Sequence, residues 1–165
     1  FSFGYNQIEG PEHVIASDKL IELLVDIVCK NGNLLLNVGP RPDGSISEIQ
    51  KDRLLTLGKW LAVHGEGIFD TKPWIRSPAP DKEADIRFTR KGDAVYAFVM
   101  KPSTGESIRV PNVYAADATK IEMLGRPGAL EWKQAGRDLV VGAKHNGPYV
   151  AALKISPAPQ QLVRD

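Results

Sequence analysis

The hydrophobic periodicity of this chain changes once, at a proline-rich stretch, and that change limits the fold more than any other feature. Up to Pro73 the apolar residues recur at helical spacing, and beyond Pro80 they alternate. Leu20, Leu23, Leu24, Ile27 and Val28 fall at i, i+3, i+4, i+7 and i+8, one stripe of a helix running to about Lys30. Ser17 or Asp18 is placed to cap it, and Asn31-Gly32 supplies a residue able to turn left-handed at its end. Ser47-Glu48-Ile49-Gln50 has the spacing of a capping box. It predicts a second helix with Leu54, Leu57, Gly58 and Leu61 along one stripe and Trp60 alongside.

Between these helices, Leu34–Leu36 is apolar without alternation. This predicts a strand over 33–38 covered on both faces, as in a parallel sheet wrapped by helices. The polar Asn37, the Gly39-Pro40 break and the Pro42-Asp43-Gly44 turn follow at once. Gly67-Ile68-Phe69 reads as a further short strand, so the first half has α/β grammar. In the second half Ile86 and Phe88 share one face, Lys91-Gly92-Asp93 turns the chain, and Val95, Ala97 and Val99 share a face after it. Further strands are predicted at 106–110, 119–124, 130–134, 138–143 and 148–155, the spacing of an antiparallel sandwich.

Composition narrows the function classes. A net charge of +1 argues against nucleic acid or an anionic membrane as partner. No apolar run approaches the roughly 18 residues that span a bilayer. Cys29 is the single cysteine, so it forms no internal disulfide and reads as a small packed side chain. His13, His64 and His145 have no acid at ligand spacing, so neither a metal nor another cofactor is predicted. No Ser-His-Asp arrangement and no phosphate-binding glycine loop is legible.

Three motifs, taken in order, resemble one family. They are Phe1-Ser2-Phe3-Gly4-Tyr5-Asn6, the run from Asp26 through Asn31-Gly32-Asn33-Leu34-Leu35-Leu36-Asn37-Val38-Gly39-Pro40, and Gly65-Glu66-Gly67-Ile68-Phe69 with Pro73-Trp74. Together they are similar to the C-terminal part of the α-L-fucosidases of glycoside hydrolase family twenty-nine. The resemblance implies the last elements of a (β/α)8 barrel over 1–74, a linker over 75–83 and a β-sandwich domain over 84–165. A whole barrel needs roughly 250 residues, so this chain is too short to hold one.

Members of that family are retaining exo-glycosidases, in which two carboxylates about 5–5.5 Å apart act on one sugar. The resemblance puts the nucleophile Asp and the acid/base Glu ahead of Phe1, so no catalytic residue is expected in this chain. It implies a fucosylated glycan as substrate, a complementary N-terminal barrel portion as physical partner, and a secreted, periplasmic or lysosomal location, and it leaves room for a homo-oligomer. Fucose is a 6-deoxy sugar whose methyl group needs an apolar wall. Phe3 stands where the family often has Trp and is the candidate for that wall, with Tyr5 beside it; packing between barrel and helices is the alternative for both. Asn37, at the end of its strand, is a candidate donor to a sugar hydroxyl, or else holds a loop. Arg41 and Asp43 could border the site, although a solvated turn with a local Asp bond suits them better. Glu9 and Glu12 lie in a Gly-Pro loop near the expected mouth, and one of them is kept as the alternative acid/base. Glu66 is expected to satisfy backbone donors or an Arg, and Trp74 to anchor the seam between the halves. The competing reading is a non-catalytic carbohydrate-binding or interaction module built on the sandwich.

Overall fold

Residues Ala94–Val99 are buried without a gap, so the strand they form has protein on both faces. The computed structural model describes residues 4–8, 10–74, 85–103 and 105–161. Among these described residues are two α-helices, α1 (Ser17–Cys29) and α2 (Glu48–His64). Ten strands follow: β1 (Lys72–Pro73), β2 (Ile86–Lys91), β3 (Ala94–Val99), β4 (Ile108–Val110), β5 (Val113–Tyr114), β6 (Lys120–Met123), β7 (Trp132–Ala135), β8 (Asp138–Val141), β9 (Ala151–Ser156) and β10 (Gln160–Gln161). One sheet has the order β1-β2-β3-β9-β6, a second has β4-β8-β7, and β5 pairs with β10. Every pairing among the described residues is antiparallel.

Alternation sorts the side chains into two cores. Val95, Ala97 and Val99 of β3, with Ile86, Phe88, Ile121, Leu153 and Ile155, face Ile108, Val110, Leu139 and Val141 of the three-stranded sheet. That is the aliphatic filling of a sandwich. Ala94, Tyr96 and Phe98 point the other way and pack with Ala152 against Ile21, Leu24, Val25, Cys29 and Trp60 of the two helices. The molecule is therefore three layers, with the five-stranded sheet in the middle. The β2–β3 hairpin turns at Gly92-Asp93, where Gly92 takes a φ of +55°. The expected linker over 75–83 lies outside the described residues.

Several local expectations differ from the structure. Residue Ala16, not Ser17 or Asp18, is the N-cap of α1, and it makes no side-chain cap bond. The buried face of α1 is Leu20, Ile21, Leu24, Val25 and Cys29, while Leu23 is 41% exposed. The apolar surface is wide enough for either face to pack, and the sheet selects the one offset by one residue. At the helix end Asn31, with φ +68°, makes the left-handed turn. Asn31 N then donates to Val28 O at 3.0 Å and Gly32 N to Ile27 O at 2.9 Å, a Schellman closure.

On α2, Ser47 Oγ accepts from Gln50 N as expected. Trp60 is the buried member of that helix and Gly58 faces out. Gly65–Gly67 is a 3-10 turn that continues the helix into Ile68 and Phe69, in place of the expected strand. Trp74 packs on the sandwich core, edge-on to Phe88 at 5.5 Å. The seam between helices and sheet lies instead at Trp60, which sits 6.5 Å from Phe98 and donates Nε1–H to Val150 O at 2.8 Å.

Candidate functional site

Residues 33–38 connect the two helices and, among the described residues, join no strand ladder. Leu34, Leu36 and Val38 are half-buried while Leu35 and Asn37 are exposed, the period of an extended chain. Leu34 packs on the helix-side core, and Leu36 and Val38 line a cavity of about 150 Å³ with Leu20, Arg53 and Leu54. Leu35, on the other side, is 94% exposed. The expectation of cover on both faces is thus met on one face within this chain. Asn37 stands at the end of the segment on the same side as Leu35, and it also borders the cavity.

Beyond Asn37 the chain meets the N-terminal segment. A β-carbon on Gly39 would lie 2.4 Å from Tyr5 N and 2.6 Å from Gly4 C, so only glycine lets the two backbones approach. Gly39 N donates to Gln50 Oε1 at 3.0 Å, which ties the junction to α2. The half-buried Tyr5 ring lies beneath the Arg41 guanidinium, 5.9 Å from its centroid, a cation–π approach. Tyr5 and Asn37 are therefore brought to one end of the 33–38 segment. Phe3 and Glu9 lie outside the described residues.

The loop after the junction is held by its own bonds. Arg41 N donates to Ser45 O at 2.7 Å, and Gly44, with φ +81°, donates to Arg41 O at 2.9 Å. Asp43 Oδ1 accepts from Ser45 N at 2.9 Å and Ser45 Oγ at 2.7 Å. These bonds hold the Asp43 carboxyl below its ordinary value. Glu12 is exposed and pairs with His13 at 3.2 Å. Arg53 donates to Ile15 O at 3.0 Å and to Ser17 Oγ at 3.4 Å, pinning the loop before α1.

Glu66 binds neither backbone donors nor an Arg through the bonds seen for its carboxylate. It accepts from Tyr96 Oη at 2.7 Å and from Lys154 Nζ. Lys154, then Tyr96, holds its carboxyl below the usual range. Burial and the neighbouring Glu66 push the Tyr96 phenol upward. Both partners are distant in sequence, on strands no local pattern connects to Glu66. Burial pushes the Cys29 thiol up to about 12, as suits a packed, unreactive side chain. Among the described residues, no group of three His, Cys, Asp or Glu side chains could hold a metal ion, and no helix is long and apolar enough to cross a membrane. The backbone approach at Gly39 and the Arg41–Tyr5 stack have little trace in the sequence. Their only signal was a glycine between the apolar strand and Pro40.

The architecture defines a class: closing elements of a (β/α)8 barrel leading into an antiparallel β-sandwich. The family pattern described as alpha-L-fucosidase matches residues 1–66, and that described as alpha-L-fucosidase C-terminal domain matches residues 80–155. The tissue alpha-L-fucosidase of Rattus norvegicus is 39% identical over 134 residues, which cover 81% of this chain and 29% of that protein. Its Homo sapiens counterpart is 38% identical over 132 residues, covering 80% of this chain and 28% of that protein. The crystal structure of Thermotoga maritima alpha-fucosidase in complex with fucose superimposes with a TM-score of 0.80 at 36% identity, covering 93% of this chain and 37% of that one. The chain belongs to the α-L-fucosidase family and corresponds to its C-terminal part. It spans about three-tenths of the length of these curated relatives.

Proposed function

We propose that this chain is part of a retaining, exo-acting α-L-fucosidase that removes terminal α-L-fucose from glycans, and that it supplies sugar-pocket wall and sandwich but not the two catalytic carboxylates. The observation that carries this reading is the open side of the 33–38 segment. Leu35 is bare there, Asn37 stands beside it at the end nearest Tyr5, and the opposite side is packed on helices. A barrel strand has that character when its neighbours are supplied by another part of the polypeptide. In this reading residues 1–74 complete the barrel, 75–83 link, and 84–165 form the sandwich domain. Phe3 and Tyr5 contribute apolar wall for the deoxy methyl, and Asn37 contributes a hydrogen bond. The complementary N-terminal barrel portion is the partner that covers Leu35.

Four acids that could be weighed for a catalytic role are engaged with other partners, in keeping with this reading. Asp26 pairs with Arg87, Glu66 with Lys154, Asp138 with Arg109, and Asp43 is held inside its turn. A non-catalytic carbohydrate-binding sandwich is the weaker reading, because Phe88, Tyr96 and Phe98 are core residues. Tyr114 and Tyr149 are exposed aromatics on that half, and Trp132 spends its Nε1–H on Thr119 O at 3.0 Å.

The test is an assay of homogeneous 165-residue material on an aryl α-L-fucoside, alone and with the complementary barrel portion added. No turnover alone and recovery on addition are expected. Turnover by the chain alone, lost in Glu9→Gln or Glu12→Gln, would show the catalytic pair to be misplaced.

A further inference from the structure

The dipeptide Asn-Gly occurs twice, at Asn31-Gly32 and at Asn146-Gly147. In such a pair the glycine amide nitrogen, once it has lost its proton, can attack the asparagine Cγ. A C–N bond forms, ammonia leaves, and a five-membered cyclic imide results. Water then opens either carbonyl of the ring to give aspartate or isoaspartate. Glycine favours the step because no side chain crowds its nitrogen and its backbone reaches the required geometry easily.

The two pairs sit in opposite settings. At the end of α1, Gly32 N–H is committed to Ile27 O at 2.9 Å and Asn31 N–H to Val28 O at 3.0 Å, with Asn31 fixed at φ +68°. Attack there first requires the helix terminus to open. Asn146 is exposed in the irregular segment between β8 and β9, and Gly147 N–H has no acceptor among the described residues. We propose that Asn146 is a site of spontaneous deamidation, water entering and ammonia leaving, and that Asn31 is protected by its helix cap.

The location gives the change a structural reach. His145 is 5% exposed, its N–H donates to Ser103 Oγ at 2.9 Å, and its carbonyl accepts from Ser103 N at 2.8 Å. Further along, Val150 O holds the Trp60 indole. An isoaspartate at 146 adds one carbon to the main chain between these two anchors and sets a carboxylate next to the buried imidazole. This inference is independent of the fucosidase reading.

The experiment is incubation of the folded protein at mildly alkaline pH. Peptide mapping by mass spectrometry and isoaspartate labelling with an isoaspartyl methyltransferase follow both sites. Asn146 should convert faster than Asn31 by on the order of tenfold or more, the scale of opening a native hydrogen bond. In denaturant the two rates should become comparable. Gly147→Ala should slow conversion at 146 alone. It should also fold, since the new β-carbon would meet His145 Cε1 at an ordinary 3.6 Å. Conversion at Asn31 as fast as at Asn146 in the folded protein would overturn the proposal. So would a folded protein in which neither site reacts while both react in denaturant.

Discussion

On its sandwich side, the five-stranded sheet closes over a core of Ile86, Phe88, Val95, Ile121, Leu153 and Ile155 against the second sheet. On its helix side, Tyr96 and Phe98 meet Trp60, Cys29 and Ile21, and polar bonds ring the contact. Arg87 joins Asp26 of α1 at 3.0 Å and also Asp85. Thr89 Oγ1 donates to Gly67 O at 2.7 Å, and Glu66 ties Tyr96 to Lys154. The outer side of the helix layer is bare at Leu35. The difference teaches that one interface is sealed by non-directional burial from its own strands. The other combines burial with directional bonds and leaves Leu35 exposed on its outer side.

The largest effects should separate the two interfaces. Phe88→Ala and Trp60→Ala should each cost about 3–5 kcal/mol, the scale of a buried aromatic truncation. Phe88→Ala should melt the whole molecule, whereas Trp60→Ala should release the helices and leave amide protection in β8 and β9 intact. Hydrogen exchange reads this directly, and loss of sandwich protection in Trp60→Ala would break the comparison. Next, Arg87→Ala leaves Asp85 without its ion-pair partner and Asp26 with Lys30 alone, and should cost about 1–3 kcal/mol in urea unfolding. An unchanged midpoint would mean that the ion pairs do not hold α1 to the sheet.

Acid should act on the helix side first. For Asp26, partial burial works upward but the bonds from Lys30 and Arg87 outweigh it, and for Glu66 the Lys154 bond leads; both carboxyls lie below their ordinary values. The folded state then binds fewer protons than the unfolded one. Their contribution is complete above the unfolded value near about pH 4 and is lost as pH falls through the folded values. Burial also depresses His64, which stacks on Trp60 at 4.7 Å, and His145. Their share is present above about pH 6.5 and declines below it. Tryptophan fluorescence should therefore report loosening at Trp60 on acidification before circular dichroism reports loss of strands. Simultaneous transitions would contradict this. The smallest effect is expected at Leu35. Leu35→Glu should change the stability of this chain by within about 0.5 kcal/mol, as at any exposed position, yet block complementation by the upstream barrel portion. A substantial loss of stability in the chain alone would show that Leu35 is already covered.

How much was legible follows from the range of each signal. Same-face spacing of apolar residues on either side of the Lys91-Gly92-Asp93 turn located β2 and β3, and short runs between Gly- and Pro-containing turns located β4, β6, β7, β8 and β9. The two-residue strands β1, β5 and β10 were missed, being too short to show any period. The helices were legible, but not which apolar face of α1 would be buried, since that depends on Tyr96 and Phe98 some seventy residues on. The Gly65–Phe69 turn looked like a strand because its apolar pair resembles one, and only the continuation of α2 decides otherwise. At the site, the glycine break and the Asp43 turn were readable locally. The stacking of Arg41 on Tyr5 and the Glu66–Lys154 pair join distant segments and left no local trace.

Strand β3 carries two messages in one run of six residues: its odd-numbered positions address one neighbour and its even-numbered positions another. Shifting the reading frame by a single residue would deliver Tyr96 and Phe98 to a gap shaped for valine and alanine, and Val95 and Ala97 to a seat shaped for rings. Most strands tolerate an error on their solvent side, but β3 has no such side. The two-residue hairpin at Gly92-Asp93 is thus the punctuation on which both addresses depend. A change there that slipped the pairing by one residue would misdirect the sandwich face and the helix face together.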